Sequence, residues 1–197
     1  MADALPEVTI ESRDQWRSWL AAHHATSQGI WLVTYKKGSG RPQVSYDDIV
    51  DEALAFGWID SRPGSIDEHR ARRLLTPRKP TSNWSRRNKQ RVDRLTRAGL
   101  MAPAGRAAVE RARRNGSWSA LDAVEELREP DDLREALDRN PRARGFWDAF
   151  PRSAKRAILE WIENARRPDT RSRRVKETVD KAADNVRANQ WRQPGNR

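Results

Sequence analysis

The chain has 197 residues, 36% hydrophobic and 34% charged, with nine Trp, three Phe and two Tyr, which suits one domain whose thin core leans on large aromatic areas. No run approaches the roughly 18 apolar residues of a membrane helix. No cysteine is present, which excludes disulfides, thiolate zinc sites and cysteine nucleophiles. The net charge of +11 is uneven: residues 1–69 carry 6 Lys/Arg against 11 Asp/Glu, residues 70–97 carry 11 against 1, and residues 98–197 carry 22 against 16. A basic excess gathered into one segment points to an anionic partner. The opening MADALPEVTIESRDQW has no basic start followed by an apolar stretch, so it does not read as a secretory signal. The expected compartment is the cytoplasm.

Ser12 and Gln15 have capping-box spacing, and Trp16, Trp19 and Leu20 share a face, which predicts a helix over 12–23. GIWLVTY at 29–35 reads as a strand, and KKGSG as its exit turn. The Gly-Ser-Gly there lacks the spacing of a phosphate loop. Ser45 caps a helix over 46–56, with Asp47, Asp48, Asp51 and Glu52 near its positive end and Gly57 placed to stop it. WIDSR at 58–62 predicts a second strand, Pro63-Gly64 a turn, and RRLLT at 72–76 a returning strand. Pro77 and Pro80 make 77–83 an extended loop.

From Ser85 the chain reads as helix, in segments 85–98, 103–114, 119–127, 131–139, 141–150, 152–166 and 169–188. Ala154, Ile158, Trp161, Ile162 and Ala165 form one apolar stripe, and Val175, Val179, Ala182, Ala183 and Val186 form another. Matching stripes on successive helices predict an amphipathic helical hairpin. Residues 189–197 read as a frayed tail. The expected class is α+β. A small sheet with covering helices occupies 1–84, and a helical part, 85–188, packs on it as one continuous domain. Trp16, Trp19, Trp31, Trp147 and Trp161 are the expected core aromatics.

The segments GIWLVTYKKGSG, VSYDDIVDEALAFGWIDSR, LLTPRKPTSNWSRRNKQRV and FPRSAKRAILEWIENARRPDTRSRRVKETV resemble the YdeI/OmpD-associated, or bacteriocin-protection, proteins. The resemblance covers about residues 12 to 188. It implies a link to envelope stress and to resistance against bacteriocins and cationic peptides. It implies no reaction, because FGWIDS and PRKPxSxWSxxN are family markers and not catalytic signatures.

Strand alternation puts Trp58 and Asp60 on one face and Ile59 and Ser61 on the other. A carboxylate beside an indole is desolvated, which suits Asp60 for general acid or base work. The alternative is that Asp60 accepts hydrogen bonds from a nearby Arg or turn amide and Trp58 is core. The segment from Thr76 to Ser85 joins two prolines, cations, hydroxyls and an indole to a helix N-terminus, a natural place for an anion. Its bland reading is a structural corner, with Ser82 or Ser85 as cap and Trp84 as staple.

The reading we favour from sequence is an anionic small molecule held where the Trp58/Asp60 strand meets Pro77–Asn88. Arg73, Arg78 and Asn88 would supply donors, Trp84 a stacking surface, and Ser61 and Ser82 further contacts. A second reading has Arg86, Arg87, Lys89, Arg91 and Arg94 tracking nucleic-acid phosphates. Its counterpart is pairing of those cations with the acidic stretches 47–52 and 122–135. A third has Asp60 as the acid or base of an enzyme, a possibility the sequence leaves open. His23 and His24 diverge on a helix, and His69 sits in a single Asp-Glu-His set, so no metal and no cofactor are expected. The oligomeric state is not legible.

Overall fold

The strand signals of the first half assemble into one four-stranded sheet in the order β1-β2-β4-β3. The computed structural model describes residues 5–190. β2 (Ile30–Tyr35) pairs antiparallel with β4 (Arg70–Pro77), which pairs antiparallel with β3 (Trp58–Ser65). β1 (Glu7–Thr9), which has no signal in its three residues, lies parallel to β2. The β3–β4 turn differs from expectation. Pro63 and Gly64 stay inside β3 opposite Arg73 and Arg72, and the register shifts between Asp60 and Pro63. A bulge accommodates the proline, which has no N–H to give the ladder. The chain turns instead at Asp67, whose Oδ1 accepts from the N–H groups of His69 at 2.9 Å and Arg70 at 2.7 Å.

The helices α1 (Arg13–His23) and α2 (Tyr46–Ala55) start at the expected caps, with Ser12 and Ser45 accepting from Gln15 and Asp48. Every residue of α2 from Ile49 to Ala55 is buried, including Asp51 and Glu52, so α2 is the central helix of this unit. It contacts α1, β3, α3 (Arg86–Arg97) and α4 (Pro103–Arg114). Gly105 lets α4 approach closely: a Cβ there would lie 2.1 Å from the Ala55 carbonyl oxygen. That oxygen also accepts from Ala102 N–H at 3.0 Å.

The chain divides into two compact units, Met1–Ala120 and Leu121–Arg197. Helices α3 and α4 therefore belong with the sheet, and the division falls well beyond residue 84. Each unit has its own buried cluster. The first is built on Trp16, Leu20, Leu32, Leu54, Trp58, Leu75, Trp84 and Leu95. The second is built on Leu133, Leu137, Trp147, Ile158, Ile162 and Val175.

The second unit is helical: α5 (Asp122–Glu125), α6 (Asp131–Asp138), α7 (Pro141–Ala149), α8 (Arg152–Glu163) and α9 (Pro168–Ala183). α9 packs on α6, α7 and α8. Two helices stop earlier than their periodicity suggests. α5 is one turn because Leu127 takes a φ of 57°, and α9 ends before Asn185, also at 57°. Of the expected frayed tail, residues 191–197 lie outside the described residues, and Ala188 is buried. No helix among the described residues is long and apolar enough to cross a membrane.

Of the expected core aromatics, Trp16 and Trp147 are fully buried, while Trp19, Trp31 and Trp161 are half-buried. Arg72 covers the Trp31 ring at 4.5 Å from its centroid, and Arg174 covers Trp161 at 5.0 Å. Cationic side chains lie along indoles that helices leave open.

Candidate functional site

The expected site residues fall into three groups. Trp58 is core: it is 1% exposed, its Nε1 donates to the His24 carbonyl at 3.2 Å, and it meets Trp19 edge-on. It offers a ligand no surface. Ser61 is exposed, and its hydroxyl donates to Leu74 O at 3.4 Å. Ser82 sits in a turn, its N–H on Lys79 O at 3.0 Å. The cap of α3 is Ser85, which accepts from Asn88 N–H at 3.3 Å. Asn88 thus contributes its backbone to the helix start.

Asp60 and Arg73 do come together, with a residue the sequence reading missed. Arg73 Nη1 donates to Asp60 Oδ2 at 3.1 Å, and the Tyr46 hydroxyl donates to the same oxygen at 3.1 Å. Arg73 also lies over the Tyr46 ring, 4.6 Å from its centroid. Burial, and then the adjoining Asp60 charge, hold the Tyr46 phenol above its ordinary pKa. Tyr46 opens α2 directly after the Ser45 cap, and Asp60 is fourteen residues further on the facing strand. No local pattern links such a pair. Asp60 is thereby a hydrogen-bonded partner of an arginine, as in the bland reading of that residue.

Arg78 and Trp84 form the third group. The loop that follows β4 turns back, so that Arg78 N–H donates to Gly57 O at 2.9 Å and its side chain enters the interior. The guanidinium is 4% exposed and lies over the Trp84 ring at 3.8 Å from the centroid. Trp84 is itself 1% exposed, so its ring serves Arg78 and the core, not a ligand. Arg78 Nη1 donates to the Asn83 carbonyl at 2.9 Å. Nε and Nη2 are buried with no hydrogen-bond partner. Burial pushes the Arg78 pKa down to about 10, partly opposed by the Asp60 charge, so the group is still cationic at neutral pH.

The basic segment is largely spent inside the first unit. Arg91 is 6% exposed and donates to Asp51 at 2.7 Å and also to Asp47. Arg94 reaches Asp51 at 2.7 Å, and Arg87 reaches Asp47 at 3.1 Å. The hydrogen bond from Arg91 holds the Asp47 carboxyl below the usual carboxylate range. Lys89 lies over the Trp118 ring. On the other side of α2, Arg13 and Arg17 each meet the buried Glu52 at 2.6 Å. The acidic stretch 122–135 pairs with cations of its own unit, Glu125 with Arg156, Glu129 with Arg144 and Asp132 with Arg171.

A separate cleft of about 340 Å³ runs between α3 and α4, floored by Val92, Met101 and Val109 and rimmed by Asp93, Arg97 and Arg113. The ring Nδ1 atoms of His23 and His24 bond the carbonyls of Trp19 and Leu20, each at 2.8 Å. No group of His, Asp and Glu among the described residues is arranged to hold a metal ion.

Two family models match the chain. Residues 8–108 match a domain of unknown function (DUF8412), and residues 126–185 match the bacteriocin-protection, YdeI or OmpD-associated family. The first match spans just over half of the 197 residues, so the chain belongs to the DUF8412 family and carries a YdeI/OmpD-associated domain in its second unit. The FGWIDS and PRKPTSNWS markers lie in the first of these regions, and the FPRSAKRAILEWIE stretch lies in the second. No curated protein and no solved structure matches the chain.

Proposed function

We propose that this protein binds a small anionic ligand at the buried guanidinium of Arg78. One observation carries the reading: Nε and Nη2 of Arg78 are buried and unpartnered. Leaving buried donors unmade costs about 1–3 kcal/mol each, more for a charged group. Such a group in a native protein calls for an ordered water or a bound ion as partner, and Arg78 has two such atoms where Arg72, Arg111 and Arg187 have one each. An anion is the natural partner, because it restores both the hydrogen bonds and the charge that burial disfavours. Asp60 does not fill that role, since its bonds go to Arg73 and Tyr46.

In this reading Asp60 is the nearby charge that opposes the burial of Arg78, and Trp84 is the support that holds the guanidinium. The name of the family matched over the second unit supports a setting in protection against bacteriocins or related stress.

The test is thermal unfolding of the full chain against a panel of inorganic and organic anions. A ligand at 100 times its Kd adds about 2.7 kcal/mol of stability. Arg78→Lys removes the planar fork while keeping a charge, so protection should vanish in that variant. Its melting temperature should also fall, because the stack on Trp84 and the bond to Asn83 are lost. Absence of protection by every anion in the native chain would refute the proposal.

A further inference from the structure

Apart from Arg78, the first unit keeps an opening on the core face of its sheet. A cavity of about 170 Å³ lies between the sheet and the start of α2. Leu32, Val44, Ile49 and Ala71 give it apolar walls, and Thr34, Tyr46 and Arg73 are its polar members on that face. Register explains the mixture. Arg73 stands opposite Leu32 and Ala71 opposite Thr34, so all four project to the side that α2 covers. Arg72, also at the border, belongs to the other face, where it lies over Trp31 and pairs with Glu7 at 2.9 Å.

Size and charge narrow the occupant. A cavity of about 150 Å³ holds a benzene molecule, whereas sites for drug- or cofactor-sized ligands start at roughly 300 Å³. The present volume therefore suits a single ring with one small substituent. Apolar walls penalise a bare ion. Arg73, the cation of this cavity, already has its charge matched by Asp60 at 3.1 Å, so an added carboxylate would find no unpaired charge.

Arg73 still has hydrogen bonds to give. Nη1 reaches Asp60, and its remaining N–H groups meet no acceptor among the described residues. The guanidinium is held by Asp60 and by the Tyr46 ring at 4.6 Å from its centroid. Tyr46 gives its proton to Asp60 Oδ2, which leaves its phenolic oxygen as an acceptor. Both groups lie 3.1 Å from that one Asp60 oxygen, near enough to each other to meet one small substituent.

We propose that this cavity binds a neutral single-ring compound carrying a carbonyl group, an aromatic carboxamide being the closest match. Its ring lies against Leu32, Val44 and Ile49, its carbonyl oxygen accepts from Arg73, and its N–H donates to the Tyr46 oxygen.

The test follows the methyl resonances of Val44 and Ile49 and the Arg73 Nε–H resonance by heteronuclear NMR. The full chain is titrated separately with benzamide, benzoate and toluene. Benzamide and benzoate share a shape and differ in charge, and toluene lacks the acceptor. Benzamide should shift the methyls at about tenfold lower concentration than either, the equivalent of one hydrogen bond to a charged group, and it alone should move Arg73. Ala71→Leu fills the cavity and should abolish the shift at Val44. Persistence of that shift in the variant would place benzamide elsewhere and overturn the proposal. Benzoate acting at the same or lower concentration would show that the occupant is not neutral, and toluene doing so would show that the polar corner plays no part. Either result overturns the proposal, as does the absence of any methyl shift, and none of these bears on the Arg78 site. The ranking in the native chain decides even if Ala71→Leu does not fold.

Discussion

Arg91 on α3 donates to Asp51 on α2 at 2.7 Å, and both side chains are nearly fully buried. Removing one partner of a buried pair leaves an uncompensated charge, which costs far more than the pair contributes. Asp51→Asn should therefore lower stability by about 3 kcal/mol in denaturant melts. Arg94 reaches the same carboxylate but is 57% exposed. Arg94→Gln should cost under about 1 kcal/mol. Equal losses in the two variants would show that burial does not set the strength of this cluster.

Gly105 sets two effects against each other. In a helix interior Ala is favoured over Gly by about 1 kcal/mol. Here the added methyl would stand 2.1 Å from the Ala55 carbonyl oxygen, a backbone atom that cannot swing aside. The clash wins, and Gly105→Ala should destabilise the first unit by about 3 kcal/mol by separating α4 from α2. A variant that melts at the native temperature would show that the helices have room to part.

Asp132 gives the acid side of the stability curve. The hydrogen bond from Arg171, at 2.7 Å, holds its pKa below the ordinary 3.8. A carboxylate with a lowered folded pKa stabilises the native state above its unfolded value, and that contribution is lost as pH falls through the folded value. Stability of the second unit should be flat in this respect above pH 3.8 and decline below it. Arg171→Gln should flatten the decline when unfolding is followed from pH 6 to about pH 2.

Two tryptophans of the second unit should respond differently. Trp147 is fully buried, and its Nε1 donates to Glu129 at 2.7 Å. Trp147→Ala should cost about 3–5 kcal/mol. Trp161 is half-buried beneath Arg174, and its replacement should cost about 1–2 kcal/mol because water and Arg174 fill the space. Chemical denaturation of both variants checks the order.

Much of the fold was legible because its signals are local. Ser12, Ser45 and Ser85 cap the helices they precede, and prolines open α4, α7 and α9. What was missed depends on distant partners. β1 has three residues and exists because β2 offers it an edge. Pro63-Gly64 turns chains by itself and so marks the β3–β4 turn in sequence, whereas the ladder with β4 carries these residues through as a bulge.

The candidate site was less legible. A motif rich in Trp and Arg near a strand gives no sign of which indole goes inside, and Trp58 and Trp84 both do. The concentration of cations in 70–97 was visible, but their partners Asp47 and Asp51 lie some forty residues upstream. The unpartnered edge of Arg78 has no counterpart in sequence, since it depends on which carbonyl takes Nη1.

Asp51 and Glu52 are consecutive, and successive residues of a helix project about 100° apart. One turn of α2 therefore holds α3 through Asp51 and α1 through Glu52. A rotation of α2 by a single residue would break both clamps together, so the helix has no intermediate register in which one neighbour is released and the other kept. Folding of α1, α2 and α3 is thereby joined into one event, and their slowest backbone amides should exchange with solvent at a common rate instead of helix by helix.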